Sequence, residues 1–297
     1  MKQVAIAAQP VVIIGAGRSG TNMLRDVLTR LQGVETWPCD EINYIWRHGN
    51  RDYETDELSV QHATSESSSF IRAQFYSIVR EQGLLSFPED DRFIVEKTCA
   101  NSLRVPFVDS VLPEAKYIFL IRDGRDVIAS ARKRWRAPLN IPYLLSKAKY
   151  VPKSDLFYYA SRYLVNRVSK TSSTDKALSV WGPKFEGMKA MSRRESLDYV
   201  CASQWVRCVE SSQQAFDNMD KSKVISVRYE EFVSEPVAIL ESVAKFVGLR
   251  HNLSALEHAC KDVRTGSVGK GKTDSLDQRL LEIMTPTLTK YGYLINA

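Results

Sequence analysis

The chain has 297 residues, enough to bury a large core as one domain or as one domain with a sizeable insertion. With 44% hydrophobic and 26% charged residues it reads as an ordinary soluble globular protein, and no apolar run approaches the roughly 18 residues of a membrane span. A net charge of +6 and a pI of about 9.0 suit anionic ligands or acceptors but do not by themselves indicate nucleic acid.

The apolar stretch near the N-terminus runs directly into a glycine turn, so it reads as a first strand, residues 11–14, and not as a signal peptide. A helical pattern over 22–31 follows, with apolar residues at Met23, Leu24, Val27, Leu28 and Leu31. Residues 42–90 are polar and expected to be largely helical, with "SESSSF" as a turn or cap. The β-branched runs 93–95 and 117–121 read as buried parallel strands, the latter followed by a helix over 126–135. Residues 136–200 carry Pro138, Pro142, Pro152 and Pro183 among many aromatics and lysines. A last strand at 224–227 precedes a helix at 236–247 with Pro236 in its first turn. Alternating strands and helices predict an α/β fold with a central parallel sheet. The intervals 42–90 and 136–200 read as insertions covering the C-terminal edge of that sheet, where open α/β sheets bind ligands.

Cys39, Cys99, Cys201, Cys208 and Cys260 are odd in number, widely spaced and lack a C-x-x-C pair. Free thiols in a reducing cytoplasm are the simplest reading, and no metal cluster is visible among them and the four scattered histidines.

The turn "GAGRSGT" is a phosphate cradle of ambiguous type. Gly15, Gly17 and Gly20 satisfy the dinucleotide spacing G-x-G-x-x-G, and Glu35 stands about 20 positions beyond Gly15, where a ribose-binding acid belongs. An NADP- or flavin-dependent Rossmann oxidoreductase is therefore open at this point. A Walker A loop needs Lys before Ser/Thr, whereas Gly20 is followed directly by Thr21 and the cation sits inside the loop as Arg18. Such a loop suits a terminal anionic group better than Mg-NTP hydrolysis.

A second anion site follows a later strand, in "YIFLIRDGRDVIASARKRW". Arg122 ends the strand and Ser130 lies eight residues on, about two turns into the next helix. A guanidinium and a hydroxyl so placed suit a phosphate monoester. Two phosphate sites on one sheet point to a ligand phosphorylated at two ends.

These two segments resemble the nucleotide-binding motifs of sulfotransferases that use PAPS, 3′-phosphoadenosine 5′-phosphosulfate. The resemblance continues through "EKTCANSLRVPF", "SQWVRCVE", "VRYEEFVSEPVAILESVAKFVGL", "SVGKGKTDS" and "KYGYL", nearly the whole chain in order. It is nearest to soluble bacterial members, with a likeness to tyrosylprotein sulfotransferases in "RSGT" and "RDGR". It implies a single domain over residues 1–297 with a P-loop-like three-layer α/β fold, PAPS as co-substrate, PAP (the 3′,5′-bisphosphate) as product, and no metal. By the same resemblance, Arg18, Ser19, Gly20, Thr21 and Asn22 hold the 5′-phosphosulfate. Arg122 and Ser130, with Arg134, bind the 3′-phosphate; Tyr229 lies near the adenosine; and Lys270 and Lys272 of "SVGKGK" close over the nucleotide.

Sulfuryl transfer needs cations on the leaving side and on the sulfuryl oxygens, and a base for the acceptor hydroxyl. Arg18 supplies the first cation and Lys97, in "FIVEKT", the second, matching the lysine of the tyrosylprotein and glycan branches. In the tyrosylprotein-type enzymes a Glu follows the second strand; "PCDEINYIW" offers Glu41 there, with Asp40 and then His48 as alternatives. The histidine that cytosolic small-molecule sulfotransferases carry near the third strand is absent from "EKTCANS", which argues against that subgroup. The lysines and aromatics of 136–200 favour a glycan or glycolipid acceptor, with a small alcohol, a phenol or a peptide tyrosine as alternatives. A non-catalytic nucleotide-binding module is disfavoured by the joint presence of Arg18, Lys97 and a nearby carboxylate.

Overall fold

A computed structural model describes residues 8–81, 83–135, 149–152, 155, 181–271 and 277–294. Its centre is a five-stranded sheet in the order β2-β3-β1-β4-β5, with every neighbouring pair parallel. The strands are β1 (Gln9–Ile14), β2 (Val34–Thr36), β3 (Phe93–Glu96), β4 (Lys116–Ile121) and β5 (Val224–Arg228). The expected strands are all present, each a residue or two longer than its apolar run. Their continuous hydrophobicity has a simple cause. Val12 and Ile14 face one apolar cluster while Val11 and Ile13 face another, so both faces are buried at the centre of the sheet, whereas β5, read as a buried strand, is only partly covered, with Ser226 exposed.

In chain order the helices are α1 (Thr21–Leu28), α2 (Asn43–Trp46), α3 (Ser65–Glu81), α4 (Val105–Val111), α5 (Gly124–Trp135), α6 (Met188–Arg194), α7 (Leu197–Asp217), α8 (Tyr229–Ser234), α9 (Pro236–Val247), α10 (Leu253–Cys260) and α11 (Gln278–Lys290). Apolar residues of α1, α8, α9 and α10 cover one face of the sheet, and those of α2 to α7 and α11 cover the other. Helix α9 has the predicted bounds: Pro236 opens it without forfeiting a hydrogen bond, and Gly248, at φ 88°, closes it. Helix α5 begins at Gly124, two residues before the predicted start.

One local expectation fails. The serines of "SESSSF" are the first turns of α3, not a turn or cap. The cap is Thr64, whose Oγ1 accepts the Ser67 amide at 3.2 Å. Ile71, Phe75 and Ile78, all buried at helical spacing, outweigh the weak helix preference of serine.

The strand order also overturns the dinucleotide reading. In Rossmann folds β2 lies beside β1, so its acid reaches a ribose held at the first turn. Here β3 separates them, and Glu35 sits within β2 in register with Ile94. Burial pushes its carboxyl above the ordinary value.

Among the described residues, no helix is long and apolar enough to cross a membrane. Most of the 136–200 interval, including the bulk of "KRWRAPLNIPY" and "SKAKYVPKSDLFYY", lies outside the described residues, as does Lys272. Of that interval, residues 181–200 form a loop, α6 and the start of α7.

Candidate active site

The loop of residues 15–20 joins β1 to α1 and crosses the C-terminal ends of the strands. It lies so close to β4 that a Cβ on Gly15 would sit 2.7 Å from the Leu120 carbonyl oxygen. Gly20 needs both its freedoms: φ is +93°, and a Cβ there would lie 2.3 Å from the Tyr229 ring. Arg18 has φ +73°, the sole positive value at a non-glycine residue among those described. A conformation of this kind costs about 1–3 kcal/mol and persists only where neighbours hold it. Arg122 does so, its Nη1 donating to the Arg18 carbonyl at 3.2 Å. The exposed Arg18 side chain reaches across to α5, where Nε donates to Ser130 Oγ at 2.9 Å. Ser19 Oγ is buried in the loop with no partner.

Arg122 leaves the end of β4 and is buried. Its guanidinium stacks on Tyr229, 4.3 Å from the ring centroid, and Nη2 donates to the Ser267 carbonyl at 2.6 Å. Its Nε is buried without a partner. The Tyr229 hydroxyl lies 2.6 Å from Ser267 Oγ, so strand end, aromatic wall and the loop of residues 265–271 share one corner. That loop is fastened by Asp126, whose two oxygens accept the amides of Gly271 at 2.7 Å and Gly269 at 2.8 Å. The same carboxylate lies 3.6 Å from Arg122 Nη2. Gly271 packs directly on the Arg125 carbonyl, where a side chain has no room. Trp205 Nε1 donates to the Arg122 carbonyl at 3.2 Å, which explains the place of "SQWVRCVE" in the site. "KYGYL" belongs to the same corner: Arg125 donates to the Tyr293 carbonyl, and the Tyr293 hydroxyl donates to Glu230 at 2.8 Å.

A second group stands beside this cradle. Lys97, just past the end of β3, donates from Nζ to Glu41 Oε1 at 2.9 Å. The lysine side chain is 3% exposed and the glutamate 29%, so the pair presents its carboxylate outward. Burial works against the charge on Lys97, but Cys99 and the Glu41 carboxylate, which accepts its hydrogen bond, outweigh it and hold its pKa above the ordinary value. The Cys99 amide also donates to Glu41 Oε1, at 3.3 Å. Cys99 Sγ in turn lies 3.8 Å from Thr21 Oγ1, at the first position of α1. The phosphate loop and the Lys97–Glu41 pair are thus one residue apart. Burial pushes the Cys99 thiol up to about 12, so it acts here as a spacer and not as a nucleophile.

The other residues singled out in the sequence fall as follows. Asn22 is exposed at the start of α1, and Arg134 lies one turn beyond Ser130 on α5. Lys270 is exposed in the loop that Asp126 fastens. Asp40 is engaged by Arg25, which donates to its carbonyl at 3.2 Å. His48 stacks on Phe70 with ring centroids 3.6 Å apart, and its Nδ1 lies 2.8 Å from the buried Asp155. The structure brings Arg18, Ser130 and Arg122 into one continuous cradle, whereas the sequence suggested two separated ends. Asp126, Ser267, Cys99 and Trp205 escaped sequence reasoning. Asp126 alone carried a signal, a carboxylate four residues after Arg122 at the opening of a helix.

Fold and site together define a P-loop-like α/β protein: a parallel sheet with a glycine cradle at the end of its central strand, arginine-rich and without the Walker lysine. The sulfotransferase family model matches residues 10–150 and 169–252, and the chain belongs to the sulfotransferase family. Two solved structures share the fold. The sulfotransferase domain from the Synechococcus PCC 7002 olefin synthase superposes with a TM-score of 0.58 at 14% identity, covering 100% of this chain and 99% of that one. The sulfotransferase domain from the curacin biosynthetic pathway gives a TM-score of 0.56 at 14% identity, covering 97% and 99%. A search of curated proteins found no significant match.

Proposed function

We propose that the chain transfers the sulfuryl group of PAPS to a hydroxyl acceptor. The observation that carries this reading is the chain of contacts from Thr21 through Cys99 to Glu41 and Lys97, which sets a carboxylate–lysine pair against a phosphate cradle. The cradle fits a doubly phosphorylated ligand: Ser19 Oγ and Arg122 Nε are buried donors without partners, an expensive arrangement unless a ligand engages them.

In this reading Ser19, Gly20, Thr21 and Asn22 hold the 5′-phosphosulfate at the start of α1, where free amides favour an anion. Arg122, Ser130 and Arg134 hold the 3′-phosphate, with Tyr229 beside the adenosine and Lys270 and Lys272 over the nucleotide. Arg18, extending from the loop to Ser130, serves both ends of the cradle. PAPS supplies an activated sulfuryl group whose sulfur is attacked in line by the acceptor oxygen while the bridging oxygen departs. Glu41 takes the proton of the acceptor hydroxyl. Lys97 orients Glu41 and sets a fixed positive charge beside the reacting oxygens, and Arg18 stabilises charge on the leaving side. His48, whose Nδ1 is held by Asp155, and Asp40, whose carboxylate lies 3.8 Å from Arg25 Nη1, are the weaker choices for the base.

The chain acts as a single domain, with residues 42–90 and 136–200 covering the acceptor side. Their lysines and aromatics, with Trp181 packed 3.3 Å from where a Gly17 Cβ would stand, favour a glycan or glycolipid acceptor. Five free cysteines support a reducing cytoplasm. The test is transfer of label from sulfur-labelled PAPS to a panel of glycans, glycolipids, phenols, alcohols and tyrosine peptides. Labelled glycan or glycolipid is expected. Labelling confined to phenols or peptides would move the acceptor assignment, and labelling of nothing, with PAPS intact, would remove the activity.

A further inference from the structure

Glu41 sits on a segment without regular structure, between β2 and the four-residue helix α2. A general base needs its geometry held to well under an ångström, so something must fix this segment. The contacts that do so come from beneath, out of the end of β3. Thr98, wholly buried, accepts the amide of Ile42, the residue after Glu41, at 3.1 Å. The Thr98 hydroxyl donates to Glu96 Oε1, and Asn101 Nδ2 donates to Glu96 Oε2 at 3.0 Å. Glu96 is 2% exposed. Asn101 Oδ1 accepts from Arg104 Nε at 2.9 Å, and Arg104 Nη2 donates to the side chain of Asn43. Both residues that follow Glu41 are thereby tied to one buried carboxylate.

Such a hub is costly. Burying a carboxylate and a guanidinium contributes little net stability, and well-packed apolar side chains commonly replace such groups without loss. Its geometry, rather than its energy, is what distinguishes it. Lys97 and the Cys99 amide hold one carboxylate oxygen of Glu41, whereas the Ile42 amide fixes the backbone from which the side chain projects.

We infer that Thr98 is a positioning residue: oriented by Glu96, it seats the backbone that presents Glu41 to Lys97. This rests on the proposed role of Glu41, and the role of Thr98 follows from it. The hydroxyl of Thr98 takes no part in proton transfer; its proton is donated to Glu96 and it accepts from Ile42, both inside the protein. The inference therefore predicts a loss in turnover with nucleotide binding intact.

The test is Thr98→Val, close to isosteric and lacking the hydroxyl, with Thr98→Ser as the conservative control. Hydrogen exchange of the full chain without ligand is read first. Exchange at the Ile42 amide should accelerate at least about 10-fold in T98V and stay near wild type in T98S, with α1 amides unchanged. Next, kcat should fall at least about 10-fold in T98V while Kd for PAP stays within about twofold, and T98S should restore most of the rate. In a Glu41→Gln background, T98V should cost less than about twofold more in single-turnover rate, because both changes act through one group. Unchanged exchange at Ile42 overturns the seat itself, whatever the protein binds. Faster exchange with unaltered kcat, a T98V loss that reappears undiminished in E41Q, or a PAP affinity that falls in step with kcat overturns the positioning role. Failure of wild-type protein to bind PAP would instead strike at the sulfotransferase reading, and the exchange comparison would remain decisive for Thr98.

Discussion

Replacing Arg122 by alanine is the sharpest probe of the cradle. The residue makes several contacts that exist without ligand: it stacks on Tyr229 and donates to the carbonyls of Arg18 and Ser267. Losing those loosens the cradle for any nucleotide. Its Nε, however, is buried and unpaired, and a 3′-phosphate would satisfy it. A charge-assisted hydrogen bond is worth about 1.5–3 kcal/mol, and relief of the orphaned donor adds to this. The expected loss specific to the 3′-phosphate is about 2–4 kcal/mol, or about 30- to 1,000-fold in Kd. Titration calorimetry of wild type and R122A, at one ionic strength, with PAP and with adenosine 5′-phosphate, separates the two effects. The common loosening cancels in the ratio of the two losses, and the remainder belongs to the 3′-phosphate. Arg122→Lys should fall between, since it keeps the charge but not the planar fork. Equal losses for both nucleotides would refute the argument that Arg122 reads the 3′-phosphate.

Three further outcomes are expected. Glu41→Gln should lower the rate of transfer at least about 100-fold with PAP affinity within about threefold, because the carboxylate acts on the acceptor and not on the nucleotide; a large loss of PAP affinity would place Glu41 elsewhere. Gly20→Ala should lower the melting temperature by about 4–12 °C, combining a left-handed backbone with overlap on Tyr229, and an unchanged melt would show that the turn relaxes freely. The third concerns pH. Burial pushes the Glu96 carboxyl up to about 7 from 4.5, with Thr98, Trp46 and Lys97 pulling it down and Glu41 adding to the rise. The native state thus keeps a proton that the unfolded chain releases, and stability from this group falls as pH rises from 4.5 through 7, by about 3 kcal/mol in all. Urea midpoints at pH 5 and pH 8 should show this fall in wild type and its absence in Glu96→Gln; parallel profiles would contradict it.

How far the sequence carried depends on the kind of signal. Continuous apolar runs identified the strands at the sheet's centre because both of its faces are covered there, and Pro236 marked the start of α9. The motifs "GRSGT" and "RDGRDVIAS" singled out two segments that the structure sets side by side. Their meeting through Arg18 and Ser130 was not legible, since those residues are 112 positions apart and only the strand order brings them together. The same order removed Glu35 from the ribose position that its spacing suggested. The serines of α3 misled because propensity is local, while the buried stripe of Ile71, Phe75 and Ile78 is fixed by packing. The Thr98–Glu96 hub was invisible for a related reason: a polar pair in "EKTCANS" has no pattern until its partners on the Glu41 segment are known.

The central claim is that the cradle holds a 3′,5′-bisphosphorylated adenosine. Thermal shift of the full chain with PAP, NADP, FAD and ATP tests it most directly. Strong stabilisation by PAP alone is the predicted result, since only PAP places phosphates at both Arg122 and the loop of residues 15–20. Stabilisation by NADP or FAD in place of PAP would contradict it.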